Sequence, residues 1–268
     1  MNRRSKKYYI ILFILLLLII YLFWGPLFPW SPIKPGYEHF ASSKISLSIK
    51  ERTAQDSVVL RMDQVIKDEE TFHGLKFKSR VRIIVTGKNS NIRRFTPWIP
   101  GKGYSISLSA LNLVYIGPTS RKSKFGIEPY IKHELSHMLI GQNTDGLDKK
   151  MEMLRQSWLV EGLAIYFGGP RFYSKDEVRA FFIMHGMEFS SLHEANIKEV
   201  PMDVQRLYYS YYGYFTEFLI RRYGLGKMQQ YLKAYIEDPF TYEELFFEVY
   251  GSNKKGILLA FTDYMHKN

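Results

Sequence analysis

The sequence predicts an α+β fold in which a lobe of mixed sheet and helix comes first and a mainly helical lobe follows it. Short segments with alternating apolar and polar residues run as far as Ile116, and this pattern is typical of strands. From Glu128 onward, apolar residues recur almost throughout at helical spacing. A third feature, the apolar run from Tyr8 to Trp24, predicts one transmembrane helix in front of both lobes.

Residues 1–24 are predicted to form a cytoplasmic tip and an N-terminal transmembrane anchor. An α-helix from Tyr8 to Trp24 is about 25 Å long, which is just enough for the hydrocarbon core of a bilayer. Four cations precede the run, and the first acid of the chain is Glu38. We therefore expect a single-pass protein of the cell membrane, with a cytoplasmic N-terminus and an extracellular remainder. A cleaved signal peptide is the alternative, but no small-x-small cleavage site follows the run.

A proline-rich linker is predicted over residues 25–44 and one folded domain over residues 45–268. The four prolines of the linker favour a stiff, extended spacer. The net charge of +11 would attract anionic lipid head groups or cell-wall polymers. Nucleic acid is not an expected partner, because the chain carries none of its binding motifs. The chain has no cysteine, which excludes disulfides and a bacterial lipoprotein anchor.

The first lobe alternates between strand and helix patterns. The segments with strand patterns are short and rich in β-branched residues, and the one helical pattern among them has apolar residues at intervals of three and four. In chain order the predicted elements are a strand at Ile45–Glu51, a helix at Asp56–Glu70, and strands at Ser79–Thr86, Tyr104–Ser109 and Asn112–Ile116.

The string H-E-L-S-H, from His133 to His137, has the form H-E-x-x-H. It lies in a helical pattern with Pro129 in its first turn and Gly141 as the predicted C-terminal cap. Residues four apart lie on one face of a helix, so both imidazoles can bind one metal ion. Imidazole nitrogens are good zinc ligands, and Glu134 beside them can take a proton from a metal-bound water. The alternative is a helix with two incidental histidines.

A catalytic zinc usually takes three protein ligands, and the third is predicted to be Glu161. The metzincin continuation is absent, because Ile140 and Asn143 stand where it needs Gly and His. The segment Ser157–Phe167 is apolar and helical in period apart from Glu161. An unpaired charge among apolar residues is costly, and a bond to a metal would remove that cost. The alternative is an exposed Glu on an amphipathic helix.

The string H-E-L-S-H and the string W-L-V-E-G-L-A-I-Y-F, which begins at Trp158, together resemble the gluzincin metallopeptidases, whose third zinc ligand is a Glu. They are similar to the bacterial peptidase MA-like families, which carry W-x-x-E-G-x-A-x-Y. The resemblance implies a zincin-like metallopeptidase fold and one Zn²⁺ per chain, held by His133, His137 and Glu161. It also implies that Glu134 is the general base. In such enzymes an edge strand before the zinc helix aligns the peptide substrate, and the segment 104–116 is the candidate here.

A tyrosine-rich helix that ends at Gly224 is similar to a further element of the family. The family pattern Y-x-x-x-x-x-F-x-x-[YF]-L-x-x-x-[YF]-G, laid on this segment, places its first Tyr at Tyr209. In aminopeptidase-like relatives the corresponding phenol donates a hydrogen bond to the oxyanion of the tetrahedral intermediate. Tyr212 and Tyr208 are the alternatives, and packing is the usual role of a helical Tyr.

These features predict a membrane-anchored, extracytoplasmic zinc peptidase that hydrolyses peptide bonds in peptide or protein substrates. Nothing similar to the G-x-M-E-N element of aminopeptidases is present, which favours an endopeptidase. Two other functions stay open. One is a non-catalytic surface module for binding or sensing on the same fold, and the other is a zinc hydrolase that acts on a non-peptide bond.

Overall fold

The computed structural model describes residues 3–91, 105–155, 157–187 and 200–267, and it has the predicted α+β architecture. Within these residues a five-stranded sheet has the order β1-β2-β3-β5-β4. The inner pairs β2–β3 and β3–β5 are parallel, and the outer pairs β1–β2 and β4–β5 are antiparallel. The strands are β1 (Tyr37–Ala41), β2 (Ile45–Lys50), β3 (Val81–Val85), β4 (Ile106–Leu108) and β5 (Leu113–Ile116).

Helices carry most of the rest of the described chain. Short 3₁₀ segments occur at Phe28–Trp30, Ala54–Arg61, Ser109–Leu111 and Pro239–Thr241. The α-helices are α1 (Arg3–Trp24), α2 (Met62–His73), α3 (Pro118–Arg121), α4 (Glu128–Asn143), α5 (Leu147–Arg155), α6 (Ser157–Phe167), α7 (Lys175–Met184), α8 (Met202–Tyr223), α9 (Leu225–Glu237), α10 (Tyr242–Tyr250) and α11 (Lys254–His266).

The strands predicted from the sequence are present at about the predicted positions. The strand predicted at Tyr104–Ser109 is shorter, Ile106–Leu108, and position 104 lies outside the described residues. The helix predicted at Asp56–Glu70 is two elements, because a 3₁₀ segment over Ala54–Arg61 precedes α2.

The predicted linker over residues 25–44 is wrong in its second half. Strand β1 lies inside it and pairs with β2 along its whole length. Phe28 is also buried, in a small cluster with Ile84 and Tyr115 on one face of the sheet. Phe28 and the β1 backbone gain more from covering the sheet than from extending into solvent, so the folded domain starts before residue 45.

Helix α1 covers the segment that the sequence predicts to be a transmembrane helix. Its large apolar side chains are exposed from Tyr8 to Tyr21. Within the part of the chain that the structure describes, no helix combines the length and the apolar character needed to cross a membrane.

Two hydrophobic cores lie on either side of the segment that carries H-E-x-x-H. We call the first the aliphatic core: it is formed by strands of the sheet, by α2 and by the apolar face of α4, and it includes Ile45, Leu47, Val65, Ile83, Ile131 and Leu135. We call the second the aromatic core: it is formed by helices α6 to α11, and it includes Trp158, Phe182, Tyr211, Phe215, Tyr231, Phe246 and Phe261.

Candidate active site

Helix α4 presents His133 and His137 on the side away from the aliphatic core, and Glu134 lies between that side and the buried face. Four of its apolar residues, Ile131, Leu135, Met138 and Leu139, are fully buried in that core. Because these residues hold one face of the helix in the core, the opposite face is directed toward α6.

Gly141 is not the C-terminal cap that the sequence predicts. Helix α4 continues to Asn143, and Thr144 is its cap. A Cβ at Gly141 would lie 2.5 Å from the Cβ of Ser109, so the glycine lets the helix approach the end of the edge strand closely. Close approach between two elements is the reason for this glycine.

Helix α6 brings Glu161 to the site, and glycines let it pack tightly against α8. A Cβ at Gly162 would lie 2.7 Å from the carbonyl oxygen of Tyr212 and would collide with Thr216. A Cβ at Gly213, on α8, would lie 2.6 Å from Ile165. The glycine directly after Glu161 therefore sets the spacing between α6 and α8, which places the carboxylate beside the tyrosines of α8.

The structure brings together the three residues predicted to bind metal. The His133 Nε2 and His137 Nε2 atoms are 3.0 Å apart. The Glu161 Oε2 atom is 3.3 Å from the first and 3.4 Å from the second. Two ligands of a tetrahedral zinc, each about 2.0–2.1 Å from the ion, are separated by about 3.3 Å. The triangle formed by these atoms therefore has the size of one face of a tetrahedral zinc site.

The donor set also fits a metal chemically. The Glu161 Oε2 atom is buried without a hydrogen-bond donor among the described residues. The three side chains keep a small exposed fraction, 14% for His133, 16% for His137 and 19% for Glu161, so one side of the site is open to solvent. Two imidazoles and one carboxylate with an open position are typical of catalytic zinc, whereas structural zinc sites are closed.

The carboxylate and the imidazoles of the site stabilise one another's charged forms. Burial alone would raise the pKa of the Glu161 carboxyl, but His137 and His133 outweigh it and lower that pKa well below its usual range. Burial likewise opposes a charge on His137, but the Glu161 carboxylate outweighs it and raises the pKa of the imidazole. Glu161 is thus an ionised carboxylate, which is the form that binds metal.

Glu134 lies beside the triangle and is almost completely buried. Burial raises the pKa of its carboxyl above the usual value, against the opposing effect of His133 and His137. The side chain of Ser107, on β4, forms a hydrogen bond with Glu134. A carboxylate with a raised pKa is a better proton acceptor near neutral pH than an ordinary surface Glu. Ser107 is a contact that the sequence reasoning missed, although the predicted edge strand contains it.

The three candidate tyrosines of α8 have different surroundings. The ring of Tyr209 is half-buried, and its centroid is 6.4 Å from that of His133. The charge of Glu161, with burial adding to it, raises the pKa of the Tyr209 phenol, so it keeps its proton. Tyr212 is fully buried in the aromatic core, and its hydroxyl is hydrogen-bonded to Ser157. Tyr208 is also buried in that core. The Tyr209 ring is thus in contact range of His133, whereas the Tyr212 hydroxyl is engaged by Ser157.

A model of the Peptidase MA superfamily matches residues 61–267 of this chain, which is the stretch from α2 to α11. No curated protein sequence matches the chain. Among solved structures, native leukotriene A4 hydrolase from Saccharomyces cerevisiae is similar, at 15% sequence identity and a TM-score of 0.44. That alignment covers 84% of this chain and 38% of the hydrolase, so this chain spans well under half of the length of that protein.

Proposed function

The chain belongs to the Peptidase MA superfamily and is of the metallopeptidase type, and we propose on that premise that it is a zinc-dependent peptidase of the gluzincin type. The observation that carries the proposal is the triangle of His133 Nε2, His137 Nε2 and Glu161 Oε2, whose sides of 3.0–3.4 Å match a tetrahedral zinc site. The buried Glu134 beside it supports catalysis over a purely structural site, because a structural site needs no general base.

His133, His137 and Glu161 would hold one Zn²⁺. When bound, the ion would polarise the scissile carbonyl as a Lewis acid and would lower the pKa of the attacking water. Glu134 accepts the proton of that water at its carboxylate and then delivers it to the leaving amine. Tyr209 donates its phenolic O–H to the oxyanion that develops on the carbonyl oxygen.

The edge strand β4 supports a peptide as the substrate. It lies at the end of the described sheet, and its Ser107 side chain contacts Glu134. An extended peptide that pairs with this edge would run past the general base, and main-chain pairing of this kind does not depend on the side chains of the peptide.

The ligand assignment is tested by the metal content of the purified full-length chain. We expect about one zinc per chain in the wild type and strong loss in His133→Ala and His137→Ala. Glu161→Ala should lose less, because two imidazoles remain. Elemental analysis measures the content, and Glu128→Gln on the same helix, whose partners are Arg61 and Lys132, is the matched control. Equal zinc in the wild type and all three variants would overturn the assignment.

We also propose from the sequence that residues 1–24 anchor the protein in the cell membrane, with the catalytic domain on the extracytoplasmic side, although no helix within the described residues is long and apolar enough to cross a membrane. The row of exposed apolar side chains from Tyr8 to Tyr21 supports membrane insertion, and the cations before it support a cytoplasmic N-terminus. In fractionated cells the full-length chain should sediment with membranes after a high-salt wash and be digested by external protease. Release by salt, or protection from the protease, would contradict the anchor or its orientation respectively.

A further inference from the structure

A cluster of three polar side chains is buried behind the metal-binding face of α4. Glu69 and His73 lie one turn apart on α2, and Ser136 lies on α4. Their exposed fractions are 0%, 1% and 0%. The Ser136 hydroxyl donates to Glu69 Oε2 at 3.0 Å, and His73 Nδ1 is 2.9 Å from the backbone oxygen of Glu69 and 3.3 Å from Oε2. We call these residues the α2–α4 cluster.

The α2–α4 cluster stabilises the fold less than apolar residues at the same positions would. The Glu69 Oε1 and His73 Nε2 atoms are buried, and neither has a hydrogen-bond partner among the described residues. A buried polar atom without a partner costs about 1–3 kcal/mol. Well-packed apolar residues of similar volume would avoid this cost, and Val65 and Ile66 on the same helix do so. Stability alone therefore does not account for the cluster.

The position of Ser136 connects the cluster to the metal site. Ser136 directly precedes His137 and follows His133 by three residues, so its hydroxyl ties the same two turns of helix to α2. Apolar contacts along α4 hold its buried face in the core, but they are less directional than a hydrogen bond and define small rotations of the helix about its own axis less sharply. A hydrogen bond has a preferred distance and angle, and it does resist that rotation.

A small rotation of α4 about its axis displaces the metal-binding nitrogen of each imidazole. The Nε2 atom lies roughly 6–7 Å from the helix axis, since the Cα radius is about 2.3 Å and the imidazole side chain adds at most about 4.6 Å. A rotation of about 10° then moves Nε2 by more than 1 Å. Zinc–ligand distances tolerate only about 0.2 Å.

We propose that Glu69 and Ser136 are positioning residues that fix the rotation of α4 and so align His133 and His137 with Glu161. This inference rests on the proposed metal site. Burial raises the pKa of Glu69 well above its usual value and lowers that of His73 to about 4, so burial favours the neutral form of both side chains. Glutamine at position 69 imitates the neutral acid and keeps an acceptor for Ser136.

The test measures the zinc affinity of the metal-free full-length protein by competition with a chromogenic chelator. Ser136→Ala and the double variant Glu69→Leu/Ser136→Ala should bind zinc about 10–100-fold more weakly than the wild type, which is the usual effect of losing the groups that orient metal ligands. Glu69→Gln should stay within about twofold of the wild type. Thr144→Val removes another buried hydroxyl, that of the α4 cap, which bonds to Ile140 O and Met153 Sδ and not to α2; it is the matched control and should also stay within about twofold.

Unfolding of the metal-free variants separates positioning from stability. The double variant removes both polar groups, so we expect it to be at least as stable as Ser136→Ala, in which the Glu69 carboxyl loses its donor. Weak zinc binding by a stably folded double variant, together with rescue in Glu69→Gln, supports positioning. Wild-type affinity in the double variant overturns it. If the wild type itself binds no zinc, the proposed metal site fails, and this inference fails with it.

Discussion

The two cores of the molecule differ in chemistry, and the candidate active site lies between them. Apart from Phe77, the buried side chains of the aliphatic core are Ile, Leu, Val and Met. The aromatic core is centred on Trp158, whose ring centroid is 5.1 Å from Phe215, 5.7 Å from Phe246 and 5.9 Å from Tyr231. Aromatic pairs have preferred edge-to-face and offset geometries, whereas aliphatic contacts are less directional.

Each core supports helices that carry different residues of the site. Helix α4 rests on the aliphatic core and carries both histidines and Glu134. Helices α6 and α8 belong to the aromatic core and carry Glu161 and Tyr209. The spacing of the two histidines is determined within one helix, but their distance to Glu161 depends on how the two cores fit together. We call each core, together with the helices that it supports, one half of the molecule. The site is therefore sensitive to the chemistry of the groups within each half and, to a smaller extent, to the fit where the halves meet.

The largest effect is expected from Glu134→Gln, which changes chemistry in the half that rests on the aliphatic core. Turnover of a peptide substrate should fall by about 10²–10⁴-fold, because glutamine cannot accept the proton of the attacking water. Zinc content should not change, because no ligand is altered. Peptides from a proteome digest, with products identified by mass spectrometry, provide the substrate. Undiminished cleavage by the variant would exclude Glu134 as the base.

The corresponding change in the half that belongs to the aromatic core is Tyr209→Phe. It keeps the ring and removes only the hydroxyl, so turnover should fall by about 10²–10³-fold with little change in stability. Tyr212→Phe is the matched control. It removes a hydroxyl that bonds to Ser157 in the core, so it should cost about 1 kcal/mol of stability and leave turnover unchanged. The reverse outcome, with turnover lost only in Tyr212→Phe, would move the oxyanion donor by one helical turn.

Much of each half could be predicted from the sequence, because the signals are local. Helical spacing and H-E-x-x-H locate α4 and its ligands, and an apolar helix with one carboxylate locates Glu161. Strand β1 could not be predicted, because its residues Y-E-H-F-A do not alternate and four prolines closely precede it. It is a strand because β2 offers an edge to pair with. Whether such an edge is available depends on other parts of the chain and cannot be predicted from residues 37–41 alone.

Which tyrosine lies at the site, and why the glycines are needed, also depends on contacts between segments that are far apart in the sequence. Tyr209 and Tyr212 share a helix face, and only the packing of α8 against α6 shows that the hydroxyl of Tyr212 is used by Ser157. Gly141 fits the pattern of a cap, yet it is needed for contact with Ser109. The α2–α4 cluster is hidden for the same reason, because its members are far apart in sequence and meet only when α2 packs on α4.

The smallest of the expected effects concerns the fit between the two halves, and it is tested by Gly162→Ala. The added methyl would collide with Thr216 and lie 2.7 Å from the carbonyl oxygen of Tyr212. Because that oxygen belongs to the backbone of α8, the two helices must separate, and Glu161 must move with α6. Alanine is favoured over glycine in a helix by about 1 kcal/mol, but overpacking costs about 1–3 kcal/mol, so the net change should be destabilising.

Gly226→Ala, on α9, is the matched control, because no atom lies within 4 Å of the added methyl. It should gain stability from helix propensity alone and keep the zinc affinity of the wild type. Gly162→Ala should instead lose both stability and about tenfold in zinc affinity, because Glu161 is displaced from the two histidines while these keep their own spacing on α4. Thermal unfolding of the metal-free proteins and chelator competition measure the two quantities separately. A Gly162→Ala protein that is destabilised but binds zinc as tightly as the wild type would show that the Glu161 side chain adjusts to the displacement, and that the fit of the cores does not control the metal site.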